Sequence, residues 1–346
     1  MDLLFHVHKG GEIVNISVLN PGLLTTIQDL GRNGYQKYGV IVSGAMDTYA
    51  MRLSNIIVGN EENEGVLEIT FVGPSLKLEK GTLFSITGAD LSPTINGKKI
   101  SRGRPVYLNK DCILKFGSCI TGCRCYLAVA GGFDVPKVMD SKSTYLRAEF
   151  GGFKGRALKK GDILSIGIKN SKSTKIIKKL EEIKVKDDFV ASSWYIKNFM
   201  KQNVESTVIR VFEDRQFQKV SDESIDKFFS SKFNIDTRSD RMGYRLSGEK
   251  IELKEKLEMI SEEVSVGTIQ IPPDGNPIIL LADRQTAGGY PKIAHVASID
   301  IQKIVQLKPN DKITFKKITL EEAEKLYFER EKDILELKKS IKLITI

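Results

Sequence analysis

The chain has little of what announces a metal centre, a membrane span or a familiar catalytic motif. Its 346 residues include only three histidines, His6, His8 and His295, too few and too scattered for a histidine-based metal site. The four cysteines are Cys112, Cys119, Cys123 and Cys125, and their spacing lacks the paired C-x-x-C of a zinc site. They are expected to be small reduced core residues, with no metal bound. No apolar run approaches the roughly 20 residues needed to cross a bilayer. Residues Met1–Asn15 alternate apolar and polar side chains, unlike a signal peptide. A cytoplasmic protein without a membrane partner is therefore expected. Four motifs are also missing. The absence of G-x-x-x-x-G-K-[ST] excludes a Walker-type ATP site, and that of G-x-G-x-x-G a dinucleotide fold. Neither a G-x-S-x-G elbow nor an H-E-x-x-H helix occurs.

What is present describes an ordinary globular chain, 41% hydrophobic and 28% charged, long enough for two domains. The net charge of +9 comes from 53 Lys+Arg against 44 Asp+Glu. The lysines are spread thinly, with one dense run at Lys169–Lys186 and no interleaved aromatics, so a solvated basic surface is expected rather than a nucleic-acid partner. An acidic small substrate fits the same excess.

The pattern between Leu67 and Gly167 is β: short apolar runs separated by Asn96-Gly97, Gly131-Gly132 and similar turns. A lysine or turn residue before a strand recurs at Lys80-Gly81, Lys110-Asp111, Lys160-Gly161-Asp162 and Pro309-Asn310-Asp311. Such spacing predicts mainly β architecture, a barrel or sandwich in each half, with a few short helices. Five segments are expected: an extension over 1–15, a first β domain over 16–168, a lysine-rich linker over 169–207, a second β domain over 208–318, and a C-terminal helix and tail over 319–346. Asp47 caps a helix running to about Val58, Ser221 caps another, and Thr319 with Glu322 forms a capping box for the last.

Two stretches carry candidate chemistry. The first, from Pro21 to Asp47, is too rich in glycine for a regular element and holds Gln28, Asp29, Arg32 and Ser43. The Asp47 helix would point its positive end at this loop, which favours an anion. The second, Ser261–Val296, reads as strands Val266–Ile271 and Pro277–Ala282 around the turn Pro272–Gly275. It sets Gln270, Asp274, Asp283, Arg284 and Gln285 beside the loop Gly288-Gly289-Tyr290-Pro291. Just before it comes SDRMGYRL, with Arg241, Tyr244 and Arg245. For each of these residues taken alone, a structural ion pair is the commoner role.

The loop PGLLTTIQDLGRNGYQKYGVIVSGAMD, then Gly88–Asp90, YLAVAGG, SDRMGYRL and IPPDGNPIILLADRQTAGGYP together resemble one family. It is that of the C-type subunits of 5-oxoprolinase, also known as the Kip-inhibitor antagonist or allophanate hydrolase subunit 2 family. The resemblance runs from about Ile16 to Ala323. It implies two cyclophilin-like β-barrel domains, working with a sister subunit of related fold and with a lactam-hydrolase subunit of the A type. The implied reaction is ATP-dependent opening of 5-oxoproline to L-glutamate, with ATP bound with or by the partner. Two alternatives stay open: a biotin-dependent carboxyltransferase component, with biotin on a separate carrier, and a regulatory protein that sequesters a kinase inhibitor. Under the first reading, Asp29, Asp47, Asp274 and Asp283 would polarise or deprotonate the substrate nitrogen. Gln28, Arg32, Ser43, Arg241, Tyr244, Arg245, Gln270, Gln285 and Tyr290 would bind substrate.

Overall fold

The computed structural model describes residues 14–183, 185–196 and 206–344. The expected N-terminal extension up to residue 13, with His6 and His8, and positions 184 and 197–205 of the expected linker lie outside the described residues.

The architecture is mainly β. In the first domain, one six-stranded sheet has the order 163–165, 15–20, 75–78, 112–115, 94–95, 98–99. The other runs 189–191, 106–108, 83–90, 121–129, 66–70, 24–28. The expectation of a barrel is thus met here by two facing sheets around one apolar core. The second domain is a closed barrel of seven strands. It closes through parallel pairing of Thr207–Glu213 with Lys312–Lys317.

The alternation of strand residues explains what the second sheet does with its two faces. Leu67 and Ile69, Phe84 and Ile86, and Cys125, Leu127 and Val129 point into the core. Their neighbours Glu68, Ser85, Thr87, Arg124 and Tyr126 therefore lie on the outer face. There Ser85 and Thr87 meet helix α1, Thr48–Ile57, with Ser85 Oγ and Thr87 Oγ1 donating to the carbonyls of Ser54 and Ala50. Helix α1 starts where the Asp47 carboxylate accepts from the Ala50 amide at 2.9 Å. It buries Ala50, Met51, Leu53, Ile56 and Ile57 and stops before Gly59, whose φ of 80° suits glycine.

The stretch read as a linker holds α2, Ser171–Glu181, and strand Phe189–Ala191, both built onto the first domain. Helices α3, Asp222–Ser230, and α4, Ile301–Ile304, pack on the barrel. Helix α5, Leu320–Ile344, leaves the barrel through the Thr319–Glu322 capping box and returns over the first domain. There Ile334 and Ile341 join the apolar cluster of α1 and α2, and Glu331 takes both Arg52 guanidinium nitrogens at 2.6 and 2.7 Å. Among the described residues, no helix is long and apolar enough to cross a membrane.

The domains meet across a buried seam. Met46 of the first domain inserts into the core cluster of the second. The Tyr244 hydroxyl accepts from Arg124 Nη1 at 2.6 Å and donates to the Leu307 carbonyl. Gln306 donates to Asp47 and to the Arg124 carbonyl, both at 2.9 Å. Burial pushes Tyr244 up to about 12 and also raises Tyr126 well above its usual value. A phenol raised in the folded state stabilises fully below its unfolded value and ceases to do so as pH passes the folded one. Stability should therefore fall between pH 10 and about 12. Urea unfolding at stepped pH is expected to show that decline, with a shallower one in Tyr244→Phe.

Candidate functional site

The same alternation builds a pocket on the outside of the second barrel. On strand Gly243–Ser247, Tyr244 and Leu246 face the barrel core, so Gly243 and Arg245 face outward. Arg245 stands opposite Ile278 and Gly243 opposite Leu280, while Ile279 between them is a core residue. On the next strand Ile269 is inside and Gln270 outside. These outer residues floor a pocket of about 570 Å³, walled by Val264, Arg284, Gln285, Ala287 and Tyr290. Arg147 reaches it from the first domain. A Cβ at Gly288 would stand 2.5 Å from Gln270 Nε2, so a larger residue there would displace the Gln270 side chain. That side-chain amide donates to the Tyr290 carbonyl at 3.4 Å.

The charges of the pocket are unevenly matched. Arg238 is bound at both Nε and Nη2 by Asp236, at 2.9 and 2.8 Å. Arg147 pairs at 3.1 Å with Asp240, whose other oxygen accepts from the Met242 amide. Arg284 is different: Nε donates to the Val264 carbonyl at 3.2 Å, and no carboxylate lies within 4 Å of it among the described residues. Burial alone depresses its pKa. A half-buried guanidinium without a counter-ion, on a pocket wall, is poised for an anionic ligand.

The residues singled out in the sequence fall in four places. Arg245, Gln270, Gln285 and Tyr290 line the pocket. Ser43, Asp47, Arg241, Tyr244 and Asp283 lie in the seam. Arg241 Nε and Nη2 bond Asp283 at 2.8 and 3.1 Å, and the same guanidinium bonds Glu68 and the Gly44 carbonyl. Ser43 Oγ donates to Asp283 at 2.7 Å. The glycine loop and the 261–296 stretch thus do meet, at a point filled by the chain's own carboxylates. The positive end of α1 is likewise met from within, by the Asp47 cap and by Glu68, which accepts from the Met46 amide at 2.8 Å. Burial raises the Asp47 pKa.

Gln28, Asp29 and Arg32 form the third group, inside the first domain. Asp29 accepts from Ser141 Oγ, Ser143 Oγ and the amides of Lys142 and Gly31. Arg32 is fully buried against the Phe150 ring, 4.6 Å from its centroid, and bonds the Ser143 carbonyl. Asp274 stands apart in its turn, held to Asn276 at 2.9 and 3.1 Å, and does not line the pocket. Sequence reasoning passed over Arg147, Arg238, Asp240, Glu68 and Arg124. Glu68 and Arg124 did carry a signal, a lone charge inside an otherwise apolar strand. Arg147 carried none, because it comes from the other domain.

The family model for the carboxyltransferase domain, subdomain A and B, matches residues 38–317. The chain belongs to that family. Among relatives of this carboxyltransferase-domain chain, the C-type 5-oxoprolinase subunit of Haemophilus influenzae is 35% identical over 311 residues, 90% of this chain and 94% of the relative. The Escherichia coli protein of the same name is 34% identical over 308 residues, 89% and 93% of the two chains. The crystal structure of Kluyveromyces lactis urea carboxylase superposes with a TM-score of 0.83 at 30% identity, over 95% of this chain but 29% of that one.

The seam geometry predicts how Arg241 behaves. Removing one partner of a buried ion pair strands the other charge and costs about 3–5 kcal/mol. Arg241→Met should lower unfolding stability by that order, read from the urea midpoint. Arg245→Met, on an exposed pocket position, should change it by less than about 0.5 kcal/mol.

Proposed function

We propose that the chain is the C-type subunit of a 5-oxoprolinase and that the arginine-lined pocket holds the carboxylate of 5-oxoproline. The observation that carries this reading is Arg284, a guanidinium held in place by the Val264 carbonyl with no carboxylate of its own among the described residues. The likeness to two subunits of that name over about nine-tenths of the chain supports it. In the pocket, Arg284 receives the carboxylate through charge-assisted bonds. The amides of Gln270 and Gln285 offer a donor and an acceptor to the lactam N–H and C=O. Val264, Ile278 and Leu280 cover the ring methylenes and keep water from them.

A lactam is a poor electrophile, and ATP supplies the activation in such complexes. Tyr290 is the one aromatic ring lining the pocket among the described residues, and the chain has no Walker-type loop. We therefore place ATP with the sister subunit. Asp47 and Asp283, whose carboxylates already hold Gln306 and Arg241, are positioning residues in this reading. The same assignment makes the chain part of a hydrolase that acts only in complex, with its sister protein and a lactam-hydrolase subunit.

A carboxyltransferase role is the second reading, favoured by the superposition on urea carboxylase. Biotin would then arrive on another protein.

Kinetics of the reconstituted complex separate the two. Loss of one charge-assisted contact is worth about 1.5–3 kcal/mol, so Arg284→Met should raise KM for 5-oxoproline roughly 10–150-fold. The chain alone should show no turnover of ATP and 5-oxoproline. A complex that ignores 5-oxoproline and carboxylates urea with a biotinylated carrier would replace the first reading by the second.

A further inference from the structure

Arg284 is not the only guanidinium of the pocket without a counter-ion. Arg245, fixed outward by the alternation of its strand, also has no carboxylate within 4 Å among the described residues. The acids whose fields reach it, Asp236 and Asp274, act from a distance without forming an ion pair with it. Asp236 gives both oxygens to Arg238, and Asp274, held in its turn by the neutral Asn276, stands more than 4 Å from Arg245 and outside the pocket lining. With Arg147 matched by Asp240 and Arg238 by Asp236, two of the four arginines have no carboxylate within 4 Å among the described residues.

From this pairing we propose that the pocket takes a ligand with two anionic groups, one on Arg284 and the other on Arg245. The inference rests on the reading of the pocket as the 5-oxoproline site and goes further, since 5-oxoproline has a single carboxylate. Ring opening makes the second. In the net reaction water's oxygen bonds to the carbonyl carbon, the C–N bond breaks and water's two hydrogens end on the nitrogen, which stays in the molecule as an ammonium, while ATP goes to ADP and phosphate; one carboxylate thus becomes two. Arg284 then holds the charge that the substrate brings, and Arg245 meets the charge that develops as the ring opens. A contact stronger at the developing charge than in the ground state is one that lowers a barrier. The apolar strip of Ile278 and Leu280 on the same floor suits a short aliphatic spacer between the two groups.

Calorimetric titration of the full chain tests this with two probes, glutarate, which has two carboxylates, and 5-oxoproline, which has one. Glutarate should bind at least tenfold more tightly. Arg245→Met should remove that advantage while shifting 5-oxoproline by less than about twofold, and Arg284→Met should weaken both. Glutarate binding no tighter than 5-oxoproline, or an Arg245→Met variant that weakens both equally, overturns the two-anion inference and leaves the pocket reading intact. Affinity for 5-oxoproline that does not respond to Arg284→Met overturns the pocket reading as well. Thermal unfolding of each variant separates these results from loss of fold.

Discussion

One guanidinium carries the arrangement of the two domains. Arg241 of the barrel is held between Asp283 of its own domain and Glu68 of the other, and also takes the Gly44 carbonyl. All three charged groups are nearly excluded from water, with side-chain exposures of 10%, 8% and 2%. Charges so buried are costly unless every one is paired, and any slippage between the domains would unpair at least one. The domains are therefore fixed in a single relation, and Met46, Gln306 and helix α5 reinforce it at other points of the contact.

The pocket inherits its rigidity from that knot through adjacent residues. Asp283 turns into the seam and Arg284 into the pocket; Arg241 turns inward and Met242 and Gly243 line the pocket. The backbone joins the two sides directly, with the Asp283 amide donating to the Arg241 carbonyl and the Leu281 amide to that of Met242, each at 2.9 Å. A wall fixed in this way can keep an uncompensated guanidinium in place before a ligand arrives, which spares the ordering cost at binding.

How much of this was legible in the sequence depended on how local the cause was. The Asp47 cap, the Thr319–Glu322 box and the hairpin around Pro272–Gly275 are each set by a few consecutive residues, and each stands in the structure near where it reads. The polar cluster of 261–296 was legible as a cluster. Its division into seam and pocket was not, because neighbouring residues on one stretch face opposite ways only once the barrel is closed. Asp283 and Arg284 are the plainest case. The lysine-rich run looked like a boundary by composition, yet Ile176 and Leu180 bury one stripe of α2 against the first domain. A helix with a thin apolar stripe and many lysines reads as solvated when its partner surface is distant in sequence.

The position of Arg147 gives the domain contact a further consequence. Arg147 belongs to the first domain, yet it lines the pocket of the second and pairs there with Asp240. Both partners are exposed, so the pair itself contributes little to stability. Its importance is electrostatic and local, since Asp240 balances one arginine and so sets how much positive charge is left for a ligand. The seam decides whether Arg147 is there at all. The same buried knot that orients the domains thereby completes the pocket, and a barrel without its neighbour would have a different balance of charge around Arg284.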